Sequence, residues 1–241
     1  MGVDDAFRYE IDTLCRKPNW NVVRDKLTGR AWIGRFEKCP EPYAFDKRNI
    51  FFLVESDGKR LSAGTLVVWR GKFDGPRVWA SLEQYVEAAD TYSNSAYETA
   101  LAVAEIWGGD DEQEWWTDEP FCTGNLCIFD RFLINARTSA EIEAIWKIVD
   151  ALLRRLRHGA AAMILKAFPL VYEGRVTDEN RPAFLRRQQA LCRLYRRRLD
   201  VEPVPHEPLA KSGWMFRLFK DGARPDRSSS LEPREGDFGP S

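Results

Sequence analysis

The spacing of apolar and polar residues changes period several times along the chain, and each change marks an element. The clearest stretch lies between residues 125 and 195. It opens with an apolar run of Leu126, Cys127, Ile128 and Phe129, continues with Phe132, Leu133 and Ile134 beyond Asp130 and Arg131, and breaks at Asn135. Such a run reads as a strand. From Ser139 the period becomes helical, with Ile142, Ile145, Trp146, Val149, Leu152, Leu153 and Leu156 on one stripe. Thr138 and Glu141 have the spacing of a capping box, and Gly159 suits the C-terminal cap. Arg157 and His158 complement the dipole in the last turn. Residues 160–170, with Met163, Ile164 and Leu165, are continuously apolar, as strands buried on both faces are. A basic helix then carries Leu194 and Tyr195 near its end.

Upstream the pattern is shorter in period. Residues 20–23 and 30–34 read as short strands around a turn at Thr28 and Gly29. Residues 49–54 and 62–69 read as a hairpin around Asp57 and Gly58, closed by Gly75 and Pro76. A short helix is expected over residues 82–89. A second helix begins at the capping box of Ser95 and Glu98, places Tyr97, Leu101, Ala104 and Trp107 on one stripe, and ends at Gly108 and Gly109. Residues 110–119 form an acidic loop carrying Trp115 and Trp116. Residues 221–241 are Gly, Pro, Ser and charges, a composition that predicts a disordered tail. The expectation is one α/β domain over residues 1–220, with a mixed opening over 1–45. Its core is a strongly bent mixed sheet of about six or seven strands flanked by helices.

Composition narrows the function classes. The chain has 241 residues, 44% hydrophobic and 30% charged, with a net charge of −1, which excludes a generally basic nucleic-acid binder. The charges are segregated all the same. Residues 78–130 contain no Lys or Arg, whereas Arg154, Arg155 and Arg157, and Arg196, Arg197 and Arg198, cluster later. Without interleaved aromatics these clusters read as solvated helix faces, so nucleic acid is not an expected partner. The cysteines Cys15, Cys39, Cys122, Cys127 and Cys192 form no CxxC pair, and only His158 and His206 accompany them. Reduced thiols are expected, with Cys192 in helix packing, and no structural zinc. Met1 to Asp5 lacks the basic start of a signal peptide, and no run of about 18 apolar residues occurs. A soluble, cytoplasmic protein without a membrane partner is the expectation.

Three segments carry a resemblance: Leu165, Lys166, Ala167, Phe168, Pro169, Leu170; the helix segment from Leu191 through Tyr195 to Leu199; and Gly213, Trp214, Met215, Phe216, Arg217, Leu218, Phe219. Together they resemble a bacterial group within the GNAT (N-acetyltransferase) superfamily. Its members read Leu-Lys-Pro-Phe-Pro-Leu at the first segment and Leu-x-x-Tyr-Tyr-x-x-Leu-Gly at the second. The resemblance covers roughly residues 49–219. It implies the GNAT arrangement of the sheet and a co-substrate, acetyl-CoA or another acyl-CoA. The backbone of Leu133 and Ile134 would pair with the pantetheine arm. The helix start, with Arg137, Thr138, Ser139, Ala140 and Ala144, would face the pyrophosphate. Tyr195 would be the general acid for the departing thiolate. Asp130, on the strand that lines the acceptor site, would be the base. The acceptor would be a small-molecule or protein amine, and the Trp115–Trp116 loop suits a cationic one.

Each assignment has a plainer reading: Tyr195 as a core aromatic, and Asp130 and Arg131 as an ion pair within the sheet. The chain also departs from the group where phosphate should bind. The group's loop reads Pro-x-x-Arg-Gly-x-Gly-x-Gly, but residues 136–144 contain no glycine and carry Glu141 and Glu143. Two carboxylates can cancel the attraction of a helix start, worth about 0.3–1 kcal/mol at an exposed site. Two functions therefore stand side by side: an N-acyltransferase, and a GNAT-fold interaction module that no longer catalyses.

Overall fold

The structure is a computed structural model that describes residues 2–12, 17–38, 45–71, 86–87, 89–90, 94–108, 125–157 and 159–219. In chain order its elements are α1 (Val3–Ala6), α2 (Arg8–Asp12), β1 (Trp20–Arg24), β2 (Leu27–Ile33), β3 (Phe45–Ser56), β4 (Lys59–Gly71) and α3 (Asn94–Gly108). They continue with β5 (Asn125–Ile134), α4 (Ser139–Leu156), β6 (Ala160–Lys166), a 3₁₀ turn (Leu170–Tyr172), α5 (Arg181–Leu199), β7 (Glu202–Pro203), α6 (Glu207–Lys211) and β8 (Trp214–Leu218). All eight strands join one mixed sheet in the order β1-β2-β3-β4-β5-β6-β8-β7. Among the described residues only β5 and β6 run parallel.

The Asp57–Gly58 hairpin forms as expected, both residues holding positive φ of 48° and 75°. The first hairpin turns elsewhere than expected. Asp25 and Lys26, at φ 47° and 69°, make its turn, and Thr28 and Gly29 lie inside β2. Gly29 is there for space: a Cβ on it would stand 2.3 Å from the Ile148 methyl of α4.

Each face of the sheet has its own cover. On one, α4 and α5 bury Ile145, Val149, Leu152, Tyr195 and Leu199 against Ile50, Phe52, Leu66, Phe129 and Met163. On the other, α3 packs near Trp69, Leu126, Ile128 and Trp214, and α1 packs Val3, Ala6 and Phe7 on Phe51 and Leu53. Helix α3 turns Ala96, Thr99, Ala100 and Val103 inward, while Leu101 of the expected stripe is exposed and Tyr97 only half-buried; the side chains of Ala104 and Trp107 lie outside the described residues. Small side chains let this helix lie close to a sheet surface already filled by tryptophans. The second apolar run also ends early. β6 stops at Lys166, and Pro169, lacking an N–H, leads into the 3₁₀ turn. Of the helix expected over residues 82–89, Val86, Glu87 and Ala89 are helical, and the remainder lies outside the described residues. So do the loop with Trp115 and Trp116 and the tail 221–241. Among the described residues no helix is long and apolar enough to cross a membrane.

One feature of the sheet positions the site. β5 pairs with β6 only from Asn125 to Phe129, whereas on its other edge it follows β4 as far as Ile134. Past Phe129 no strand among the described residues lies on the β6 side of β5.

Candidate functional site

The two neighbours of β5 part at an irregularity. Leu66 pairs with Phe129 and Thr65 with Arg131, so Asp130 is the extra residue of a β-bulge. Gly64 permits it: a Cβ there would stand 2.5 Å from the Phe52 ring and 2.7 Å from the Arg131 carbonyl oxygen. Bulges re-aim side chains, and this one presents Asp130 to two cavities at once. Its carboxylate accepts a hydrogen bond of 3.0 Å from the Thr65 hydroxyl. The ion pair expected within the sheet lies elsewhere. Arg131 reaches Glu173 at 2.8 Å and Glu10 at 3.7 Å, tying α2 to the segment after β6.

Three cavities adjoin in series. The first, about 580 Å³, lies on the α1 and α3 face and includes Lys47, Thr65, Trp32, Trp69, Thr99 and Asp130 in its wall. The second, also about 580 Å³, shares Thr99, Ile128 and Asp130 with it and adds Glu98, Lys166 and Tyr195. The third, about 390 Å³, shares Phe132, Phe168, Leu170 and Tyr195 with the second. It is an apolar slot between the free edge of β5 and α5, lined further by Leu133, Ile134, Leu191 and Leu194. The Asn135 amide donates to the Leu61 carbonyl at 2.7 Å. By strand alternation the backbone of Phe132 and Ile134 then turns to the slot, and that of Leu133 turns to β4.

Tyr195 stands where the second and third cavities meet. Its ring makes edge contacts with Phe129 at 6.1 Å and Trp146 at 6.4 Å. It is thus the core aromatic of the plainer reading and a cavity wall together. Burial, and then neighbouring Cys192, hold its phenol above the ordinary range. Of the described thiols neither is activated: burial pushes Cys127 up to about 12 and raises Cys192 as well.

The helix start is closed by its own side chains. The Thr138 hydroxyl accepts from the Glu141 amide at 3.2 Å, and the Glu141 carboxylate accepts from the Arg137 and Thr138 amides, each at 3.0 Å. These bonds, the Thr138 amide first, lower the Glu141 pKa. An anion already occupies the loop amides. Glu143, by contrast, turns to Arg198 at 2.6 Å, and Ala144 is buried beneath the helix. Arg137, Ser139 and Ala140 are exposed. Arg187, also in the slot wall, lies over the Tyr172 ring at 5.4 Å.

The structure therefore gathers Asp130, Tyr195, Leu133 and Ile134 on the walls of neighbouring cavities, and places Arg137, Thr138, Ser139 and Ala140 at a capped helix start. Sequence reading missed Lys47, Thr65 and Arg187. Lys47 belongs to a polar stretch ahead of the expected strand, and only a strand starting at Phe45 brings it onto the cavity face with Asn49 and Phe51. Compared with known proteins, the chain matches no family model, no curated protein and no solved structure.

Proposed function

We propose that the chain is a GNAT-like N-acyltransferase that moves an acyl group from acetyl-CoA or another acyl-CoA to an amine. The observation that carries this reading is the series of three cavities with Asp130 at one junction and Tyr195 at the other. It is supported by the order of β5, capped loop, α4, β6 and α5, which is the order the resemblance implies. The slot is apolar and edged by the strand backbone of β5, which suits a pantetheine arm with its two amides.

An amine entering through the first cavity meets Asp130, and a thioester in the slot meets Tyr195. The amine nitrogen attacks the thioester carbonyl carbon, a C–N bond forms and the C–S bond breaks. The proton lost by the amine passes through Asp130 to solvent, and the CoA thiolate takes up one in return. Amide and free CoA thiol are the products. The raised pKa of Tyr195 keeps its phenol protonated, so its contribution is a hydrogen bond to sulfur as negative charge develops there. Catalysis is otherwise positioning of the thioester and the amine.

One observation favours a second reading, a GNAT-fold interaction module without catalysis: Glu141 fills the amides that a diphosphate would use. Thiol release from acetyl-CoA, followed with a mixture of amines, separates the two. Turnover that falls in both Asp130→Asn and Tyr195→Phe supports the enzyme. Turnover indifferent to both, or absent in the wild type with every acceptor, supports the module.

A further inference from the structure

Helix α5 carries positive charge that catalysis does not use. No Asp or Glu occurs from Arg181 to Leu199, and seven residues of that span are Arg. Arg181 pairs with Asp178, and Arg198 pairs with Glu143. Arg186, Arg187, Arg193, Arg196 and Arg197 are exposed and meet no carboxylate among the described residues. Arg186, Ala190, Arg193 and Arg197 have the i, i+4, i+7, i+11 spacing of one helix stripe. Ala190 lies in the wall of the slot and is exposed, as is Val171, so the slot opens beside this stripe. Arg187 lies in the same wall, and its contact with the face of the Tyr172 ring leaves its N–H groups open to an acceptor. The amides at the start of α4, in contrast, are filled by Glu141.

We infer that the preferred acyl donor is an acidic carrier protein that holds the acyl group as a thioester on a phosphopantetheine arm. The carrier sits on the stripe of Arg186, Arg193 and Arg197, and its arm enters the slot past Arg187. This rests on the acyltransferase reading, and acyl-CoA remains a donor through the same arm. The carrier's arm ends in one phosphodiester where CoA has a diphosphate and a further phosphate, so it does not need the amides that Glu141 fills. One guanidinium, Arg187, meets that one phosphate. The lengths agree. Arg187 and Tyr195 are separated by about 12 Å of helix axis, to which the arginine stem adds. The extended arm measures about 15 Å from sulfur to phosphorus. The bond changes match those with acyl-CoA: the amine nitrogen bonds to the acyl carbon, the C–S bond breaks, and the amine's proton leaves through Asp130 to solvent. The thiolate of the arm takes up a proton and departs as the thiol. Unpaired guanidiniums facing outward steer an acidic surface to the slot. Nucleic acid, the rival polyanion, finds no aromatic on this stripe for its bases to stack on.

The test follows thiol release, with a mixture of amines, from an acidic carrier protein loaded with acetyl phosphopantetheine and, in parallel, from acetyl-CoA. The wild type is compared with the double variant Arg186→Glu, Arg193→Glu and with Arg187→Met. The expected result is a wild-type kcat/KM at least about tenfold higher for the carrier at low salt, an advantage that shrinks as salt rises. The double variant should raise KM for the carrier at least about tenfold at unchanged kcat and move acetyl-CoA turnover less than about twofold, a split that misfolding would not produce. A carrier used no better than acetyl-CoA would overturn the inference and leave the acyltransferase reading standing. So would an equal loss on both donors in the double variant, or full use of the carrier by Arg187→Met. If neither donor releases thiol, the acyltransferase reading fails, and fluorescence anisotropy with the labelled carrier decides the surface alone. Wild-type binding that the double variant loses keeps it as a carrier-docking face. No binding, or equally tight binding of a DNA duplex, removes it.

Discussion

The two ends of the segment from Asp130 to Glu141 stand in opposite conditions. At the inner end a bulge, a glycine beneath it and the parting of β6 leave open space around Asp130 and Tyr195. At the outer end, only a few residues on, Thr138 and Glu141 close the amides of the following helix. The two ends depend on different things. Space at the inner end follows from sheet topology, which scattered substitutions do not erase. A phosphate cradle at the outer end needs bare amides, and one well-placed carboxylate fills them. If acyl transfer is the function, the cavities can keep their shape while the grip on the far end of the co-substrate changes, with Arg187 in the slot wall as a side-chain donor.

The largest expected effect is at the inner end. Asp130→Asn should lower kcat/KM for amine acylation on the order of 10²-fold or more, with Tyr195→Phe nearer the lower figure. Thermal melting should barely change in either variant, because both substitutions keep volume. A large drop in melting temperature with unchanged turnover would make both residues structural and leave the comparison without its chemical half. Gly64→Ala comes next. Its methyl group has nowhere to go between Phe52 and the Arg131 carbonyl, so denaturant unfolding should show a loss of about 1–3 kcal/mol. The outer cap, monitored by the Glu141 amide resonance, should persist in the folded fraction.

Smaller effects belong to the outer end. Glu141→Gln keeps the shape of the cap and removes its charge, so calorimetry should show CoA binding severalfold tighter. Unchanged affinity would mean the diphosphate never competes for these amides. The same competition has a pH signature. Hydrogen bonds depress the Glu141 pKa below its ordinary 4.5, so its contribution to the helix start is present above that value. It is lost as pH falls through the lower folded value. Amide resonances of Arg137 and Thr138 should titrate below pH 4.5 in the wild type and stay fixed in Glu141→Gln. Over that range the affinity advantage of the variant should vanish.

The sequence carried most of the inner framework and little of the site's depth. The Asp57–Gly58 turn, the α4 stripe with its capping box and the two central strands were legible because each has a local signature. The first turn was misplaced because Gly29 looked like turn chemistry, when its purpose is contact with Ile148 of α4. Leu101 on α3 is exposed because the side of the helix that faces the sheet is built mainly of small side chains, Ala96, Thr99 and Ala100. Asp130 was legible as a charge inside an apolar run, although its bulge was not, since register depends on the partner strand. Lys47 was out of reach for the same reason: nothing in one strand says which polar residue will face a cavity formed by three.

Acyl-CoA occupancy of the slot between β5 and α5 is tested most directly by thermal stability measured with and without acetyl-CoA. With a dissociation constant below about 100 μM, about 1 mM ligand should stabilise the protein by more than about 1.4 kcal/mol. Leu194→Trp, which fills the slot, should abolish the shift. No shift in the wild type or in Glu141→Gln, or a shift that Leu194→Trp leaves intact, would contradict it.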